Sequence, residues 1–309
     1  MPSFNFRKEA ELYIVHNSQQ HNIDISQIDF SQTFAQQNFS VKTLHNQAAN
    51  FEGSVINTAN PGDFSFTFPA LVEGDFTIIE TLLISVTDTL STFDLYVKTK
   101  EAVFKLETCV ITNGNFVIEK SRPLSITVQG EAVKVTRVGS ASAYTIPGSV
   151  QSRSGTRTYN AVPRIEATIN YSGSNTTLSD IVGVNLELQN EGKWNEYKTV
   201  HAALSVTNAS NSMYPSEYSL QTRTLGGSIS QYITDENTTL LQQWDTDATI
   251  TIKAGNGLSG SSFRGFSFGP ATCSFTNRAA VGDAFIQSID WRMTQNPTNL
   301  ASILKYDTD

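Results

Sequence analysis

The chain repeats itself, and this repeat constrains its possible folds more than any other feature of the sequence. Three short segments of the first half return in the same order in the second half: Lys42-Thr43-Leu44-His45 as Lys198-Thr199-Val200-His201, residues 61–66 as 215–220, and residues 108–113 as 272–277. The offsets are 156, 154 and 164 residues. Self-similarity at a nearly constant spacing is typical of a domain that is present more than once. The sequence therefore predicts one domain in two copies, which are too few for a solenoid.

The composition favours β-structure over a helical bundle. Charged residues make up only 16% of the 309 residues and aromatic residues 10%, and Thr, Ser and Asn are frequent, as is typical of strands and turns. The formal net charge of −8 divides equally between residues 1–155 and 156–309. This acidic balance does not favour a protein that grips nucleic acid by its phosphates. It is compatible with a protein that lets nucleic acid pass without binding it.

Neither a membrane partner nor a disulfide is expected. No apolar run is long enough to span a bilayer, and the first residues lack the hydrophobic segment of a secretory signal. Cys109 and Cys273 are the second residues of the third pair of matching segments, 108–113 and 272–277. Equivalent positions in neighbouring domains usually lie too far apart for a disulfide, so we predict two buried free thiols.

Alternating apolar and polar residues predict strands through both halves. The predicted strands are 11–15, 23–30, 39–44, 63–68, 94–98, 103–111 and 124–128, and then 164–170, 181–188, 196–204, 217–222, 249–253, 265–275 and 285–293. One helix is predicted in each half, at 75–85 and 238–244, and long loops are predicted at 45–60 and 206–213. The chain is thus predicted to be mainly β, with two tandem domains of barrel or sandwich type, each with one short α-helix.

The same patterns suggest domain boundaries. We predict an N-terminal arm at 1–10, a first domain at 11–135, a linker at 136–161, a second domain at 162–295 and a C-terminal tail at 296–309. The linker region has no acidic residue but contains Arg137, Arg153 and Arg157. It is either a solvated connection or a segment that docks on an acidic neighbouring subunit.

The sequence contains no convincing catalytic, metal or cofactor motif. No pair of His or Cys residues has the spacing of a zinc site. Residues 255–260 match Gly-x-Gly-x-x-Gly, but the residues that follow do not predict the helix on which phosphate binding depends. Asp63 and Glu217 lie in matching segments, which is more typical of a cap or turn than of an acid/base pair. We therefore expect no enzyme, no catalytic residue, no metal and no cofactor.

The order of strand, hairpin, long loop, strand, single helix and closing strands resembles the tail tube (major tail) proteins of long-tailed bacteriophages and the inner-tube proteins of contractile injection systems. Residues 266–275 and 284–293 are similar to the last two strands of that family, and 104–112 and 124–128 are the matching segments of the first half. The resemblance covers most of both halves. It implies two tandem tail-tube-like domains in one chain.

The resemblance also implies a function. Three such chains would form a pseudo-hexameric ring, and the rings would stack into a hollow conduit for DNA in the virion tail, after assembly in the host bacterial cytoplasm. The implied partners are further copies of the chain, baseplate and tail terminator proteins, and a sheath protein only if the tail is contractile. The tape measure protein and DNA would occupy the lumen without specific binding.

The residues implied in assembly lie in the loops and the linker. The resemblance assigns contacts with the next ring to Asn46, Asn50, Glu52, Asn57, Asn208, Asn211 and Tyr214, and contacts with a neighbouring subunit to Arg137, Arg153 and Arg157. Two alternatives remain open at this point. One is a single ring that initiates or terminates the tube. The other is a two-module β-sandwich that binds carbohydrate, for which exposed aromatic side chains such as Trp194 would be needed.

Overall fold

A computed structural model of the chain describes residues 9–39, 53–69, 73–83, 89–119, 122–152, 164–171, 173–195, 213–234, 244–255, 263–279 and 284–293. These residues form one α-helix, α1 (Glu73–Leu83), and seventeen strands. The strands are β1 (Glu11–His16), β2 (Gln19–Ile23), β3 (Gln27–Ser31), β4 (Phe34–Phe39), β5 (Gly53–Ala59), β6 (Gly62–Pro69), β7 (Phe93–Lys98), β8 (Ala102–Glu119), β9 (Ser125–Ser140), β10 (Ser149–Val150), β11 (Arg164–Tyr171), β12 (Ser174–Leu178), β13 (Ile181–Asn195), β14 (Glu217–Tyr232), β15 (Trp244–Gly255), β16 (Phe263–Ala279) and β17 (Phe285–Met293).

The mainly β fold is confirmed, and several predicted boundaries are corrected. The predicted loop at 45–60 is wrong in its second part, because Gly53–Ala59 pairs with β4 as β5. The predicted strand at 23–30 is divided, because the chain leaves β1 at Ile23 and joins β6 from Gln27 onward. Trp244 begins β15 instead of ending a helix.

Other predictions fall outside the described residues. They concern the arm before residue 9, residues 40–44 of the third predicted strand, 45–52 of the first loop, 196–204, 206–212, 235–243 of the second helix, and the tail after 293. Within the predicted linker, residues 136–140 continue β9, and Ser149–Val150 runs parallel to β2.

The strands form because their apolar side chains alternate. In β6, Phe64, Phe66 and Phe68 are all buried on the core face, whereas Thr67 meets Thr127 of β9 through their hydroxyls at 3.0 Å on the other face. Phe66 and Phe68 stand 6.2 Å apart between ring centroids. A strand with one apolar face is driven against a core by the burial of that face.

Helix α1 covers the same core. Ile78, Ile79, Leu82 and Leu83 are buried at helical spacing, and the helix packs on β8. A Cβ atom at Gly114 of β8 would lie 2.7 Å from a terminal carbon of Leu83. Gly114 therefore allows the helix end to approach the sheet closely. Within the described residues, no helix has the length and apolar character needed to cross a membrane.

The pairing order of the strands is the same in both halves of the chain. Fifteen of the described strands form one sheet, and β4 and β5 form a separate hairpin. The first half has the order β2-β1-β7-β8-β9-β6-β3 and the second half the order β12-β11-β15-β16-β17-β14-β13. Each of these seven strands of the first half thus has a counterpart at the same place in the second. One hydrophobic cluster contains buried residues of both halves.

The residue registers repeat as well, and they correct two of the sequence matches. A bulge between Ala35 and Gln36 of the β4–β5 pair recurs between Glu191 and Gly192 of the β13–β14 pair, which agrees with the offset of 156. The place of β6 beside β9 is taken in the second half by residues 226–232 of β14, which pair with β17. The match of 61–66 to 215–220 is therefore wrong, because a short motif was aligned to the extended start of β14.

The two cysteines are buried and free, as predicted, but they are not equivalent. Cys109 lies opposite Phe93 of β7, and the residue in that place in the second half is Ala271, opposite Ala248 of β15. Cys273 stands two residues further along β16. The matching segments around the cysteines are thus shifted by two residues in the fold.

Candidate functional site, an assembly interface

Metal-ligating side chains and clefts are the first candidates for a site in the described part of the chain. No group of three or more His, Cys, Asp or Glu side chains among the described residues could hold a metal ion. An open cleft of about 370 Å³ lies over β3, β6 and β9, with Asp29, Asp63 and Glu131 among its lining residues. Two other features of the described structure bear on function, namely the edges of the sheet and the junction between the two halves.

The two halves are joined by strand pairing through β8. Residues 103–109 of β8 pair with β7, whereas residues 113–119 pair with residues 183–189 of β13 along the same edge. The other edge of β8 pairs with β9 over most of its length. Because β8 is eighteen residues long, it extends beyond its own partner β7 and offers a template to the second half. The sheet is therefore continuous from one half to the other.

Asn190 is the polar centre of this junction. Its side chain is 2% exposed. Its Nδ2 donates to the carbonyl oxygens of Leu83 at 3.0 Å and Ile111 at 3.1 Å, and its Oδ1 accepts from Nε of Arg223 at 2.9 Å. The hydroxyl of Tyr218 donates to the Asn190 backbone oxygen at 3.1 Å. A buried amide with satisfied donors and acceptor fixes the position of α1 and β8 against the hairpin of β13 and β14.

Trp194 forms a second contact between the halves. Its Nε1 donates to Oε2 of Glu131 at 2.6 Å, and its ring packs edge-on against Tyr218 with centroids 5.2 Å apart. Leu90 and Val110 of the first half complete this small cluster. Burial raises the pKa of Glu131, the hydrogen bond from Trp194 opposes that shift, and the nearby carboxylate of Asp63 adds to it. The indole thus stabilises a half-buried carboxylate.

The positions of Trp194 and Trp291 do not support the carbohydrate alternative. Trp194 is 7% exposed and Trp291 is 4% exposed, whereas a sugar platform needs an accessible aromatic face. The neighbouring Tyr197 lies outside the described residues.

The residues implied in assembly fall in different environments. Tyr214 is 8% exposed and packs against Ala59 of the first half, with Nζ of Lys134 at 5.0 Å from its ring centroid. Asn57 is part of β5, and Arg137 is exposed on β9 opposite Phe104. Asn46, Asn50, Glu52, Asn208, Asn211, Arg153 and Arg157 lie outside the described residues. Their contacts with other subunits stay predictions.

Sequence reasoning missed the residues that make the junction. Asn190 and Glu131 are isolated polar residues in strands, and no motif marks them. The one usable signal was the alternation in residues 181–188, since Asn190 continues the buried face of β13 as a polar residue. A polar residue on a buried face usually has a specific partner.

β3 and the end of β16 are among the strand segments that have only one neighbour within the described structure. β3 pairs with β6 alone, and residues 274–279 of β16 pair with β17 alone. Their counterparts β13 and β8 each have a further partner, namely one another. The chain therefore presents, at two separate places, the two halves of the junction that it already contains once.

A model of the bacteriophage baseplate tube protein family matches residues 3–301, nearly the whole chain. No curated protein matches the chain.

Proposed function

The chain belongs to the bacteriophage baseplate tube protein family, and we propose that it forms trimeric, pseudo-hexameric rings that stack into a hollow conduit for DNA. The observation that carries this proposal is the repeated strand order of the two halves, joined by the pairing of β8 with β13. Two equivalent domains per chain let three chains supply six equivalent positions. A head-to-tail contact that closes on itself gives a ring.

The polar face of the sheet at the junction is suited to line the lumen. Most of its side chains are amides and hydroxyls, namely those of Asn113, Asn115, Asn185, Gln189, Ser228, Ser230 and Ser288. The same face also carries the carboxylates of Glu187 and Asp290, the exposed Val117 and the exposed Arg292, whose Nη2 donates to Oγ1 of Thr224 at 3.0 Å. Glu187 accepts hydrogen bonds from Asn113 at 3.1 Å and Gln189 at 2.8 Å. Carboxylates repel phosphates and neutral groups attract them little, and Arg292 is the one guanidinium among these residues, so DNA would slide past this face with little retention.

The proposed role is structural and not enzymatic. The proposed partners are other copies of the chain, baseplate and tail terminator proteins, and the tape measure protein and DNA in the lumen. The protein would be assembled in the host cytoplasm and end up in the virion tail. A single ring within the baseplate, which initiates or terminates the tube, is the second candidate, because the matching family is described as a baseplate tube family.

Negative-stain electron microscopy of the purified chain, concentrated at near-neutral pH, tests the proposal. Stacked rings with threefold symmetry support a tube subunit. Single rings that never stack favour the baseplate ring, and a monomer or an open dimer at every concentration contradicts both.

Axial stacking is tested separately by substituting Asn46, Asn50 and Glu52 with alanine. Deletion of residues 48–58 is unsuitable, because it removes most of β5. If the first loop contacts the next ring, the triple variant should form rings but few tubes. Alanine at Asn22, a half-buried residue of β2, serves as a control that should leave tubes intact.

A further inference from the structure

We propose that neighbouring subunits of the ring are joined by strand pairing between β3 of one chain and residues 274–279 of β16 of the next. This junction would reproduce, between chains, the pairing of β13 with β8 that joins the two halves within one chain. The inference rests on the proposed ring and names the surface that closes it. The partner is a second copy of this chain.

The register of the proposed junction follows from residues that lie opposite one another across four strands. In the first half this row is Ile28, Phe66, Val128 and Gly114, on β3, β6, β9 and β8. In the second half it is Val184, Ile229, Ile289 and Phe275, on β13, β14, β17 and β16. Ile28 is therefore equivalent to Val184, and Gly114 is equivalent to Phe275.

Transfer of the internal register to these equivalents fixes the pairs between chains. Within the chain, Leu188 lies opposite Gly114 and Asn185 lies opposite Val117. The equivalent pairs are Gln32 with Phe275 and Asp29 with Arg278. The pairing spans residues 28–33 of one chain and 274–279 of the next, all of which belong to the described backbone.

The pair of Asp29 and Arg278 gives the junction a complementary charge. Asp29 is exposed on β3. Opposite charges placed directly across two antiparallel strands attract, and like charges in the same place repel. The internal junction has Asn185 and Val117 at this position, so the charge pair would distinguish the junction between chains from the junction within a chain.

Phe34 supplies an independent indication that this edge is covered. Its side chain is 38% exposed, so its ring has apolar area open to contact. The shared bulge makes Phe34 equivalent to Asn190, which is 2% exposed because the first half covers it. The second half of a neighbouring chain, docked on β3 and β4, would cover Phe34 in the same way.

Charge reversal tests the junction in the full-length chain. Asp29→Arg and Arg278→Asp each place like charges at every junction of a ring. A repulsive pair weakens one junction by about fivefold, and three junctions multiply this to a loss of ring stability on the order of 100-fold. The double variant Asp29→Arg/Arg278→Asp restores opposite charges and should form rings as the wild type does. Lys100→Glu, an exposed reversal in the turn between β7 and β8, is the matched control.

Mixing the two single variants gives a sharper result. Each chain then pairs best with a chain of the other kind, and three subunits cannot alternate around a closed ring. A mixed ring of three chains keeps one repulsive junction, so it should be about fivefold less stable than the wild-type ring, against the loss on the order of 100-fold for either variant alone. Mass photometry measures the number of chains, and electron microscopy shows whether the ring is closed.

Each outcome decides between the proposals. If both single variants form rings as the wild type does, the proposed junction is wrong, but the proposed ring stands. The same conclusion follows if the double variant folds but fails to recover rings. If the mixture forms rings as stable as those of the wild type, the subunit number is even, which supports the junction and overturns the trimer. A wild-type chain that is monomeric at every concentration overturns both.

Discussion

Replacement of Asn190 by alanine tests how the two halves of the chain are joined. The substitution removes the side-chain hydrogen bonds to the carbonyl oxygens of Leu83 and Ile111 and to Nε of Arg223. It leaves the backbone pairing of β13 with β8 in place. The loss therefore measures what the buried amide adds to the junction beyond the strand ladder.

The expected cost follows from the three hydrogen bonds. A neutral hydrogen bond contributes about 1 kcal/mol net and one to a charged group about 1.5–3 kcal/mol. Local relaxation recovers part of this loss, so we expect a decrease of about 3 kcal/mol in the free energy of unfolding. That value lies well above the ~0.5 kcal/mol typical of substitutions at an exposed site.

Urea unfolding of the monomeric chain, followed by tryptophan fluorescence and circular dichroism, measures the change. Coincident transitions by the two probes are needed for a single free energy. Asn185→Ala is the matched control, because Asn185 lies in the same strand and its buried Oδ1 has no hydrogen-bond partner in the described structure. If Asn190→Ala costs no more than Asn185→Ala, Asn190 does not hold the halves together and the reasoning is refuted.

Four further outcomes are expected. Burial raises the pKa of Glu80 to about 7. The unfolded chain releases this proton near pH 4.5, so the free energy of unfolding should fall as the pH rises from 5 to 8. Glu80→Gln should flatten that fall in urea titrations. Trp194→Phe should lower the free energy of unfolding by about 1.5 kcal/mol at pH 7, because Glu131 loses its charge-assisted donor, and an unchanged urea midpoint would contradict this. Gly130→Ala should prevent soluble expression or lower the melting temperature strongly, since its Cβ would collide with the backbone oxygen of Val110. Phe34→Ser should leave the melting temperature of the monomer nearly unchanged but weaken rings seen by mass photometry.

Local patterns were sufficient to predict the strands whose faces differ most. The three phenylalanines of β6 lie on one buried face of the strand, and the apolar residues of α1 lie on one buried face of the helix. The spacing of these residues in the sequence is enough to identify each face. Strand length was underestimated for β8, predicted at 103–111 but extending to Glu119. Residues 112–115 are Thr, Asn, Gly and Asn, which read as a turn in isolation. Residues 113–115 stay extended because β13 and β9 pair with them on both edges, and Thr112 lies at the register shift between β8 and β9.

The assembly surfaces could not be predicted because they depend on register. The matches at 154 and 164 residues pointed to a repeat, but they misplaced β6 by about nine residues and the cysteines by two. In a sheet, a shift of one residue exchanges the two faces. Pairs such as Trp194 with Glu131 join strands from different halves, and no local pattern encodes them. The offset of 156 already places Phe34 on Asn190, but only the fold shows that Phe34 is exposed and that Asn190 is buried at the junction.

The two junctions of the proposed ring have different demands, and their residues differ accordingly. The junction within the chain forms once, during folding, and can rely on the buried amide of Asn190, which is costly to expose. The junction between chains must exist first as two open surfaces in water, where Phe34 and Asp29 are tolerated as single exposed side chains. In the proposed ring, one kind of strand pairing would serve twice, with the buried hydrogen bonds of Asn190 at one junction and a charge pair with an apolar contact at the other. If the Asp29–Arg278 pair is exchanged for the neutral residues Asn and Val of the internal junction, rings should still form but associate more slowly at low salt, because opposite charges accelerate encounter.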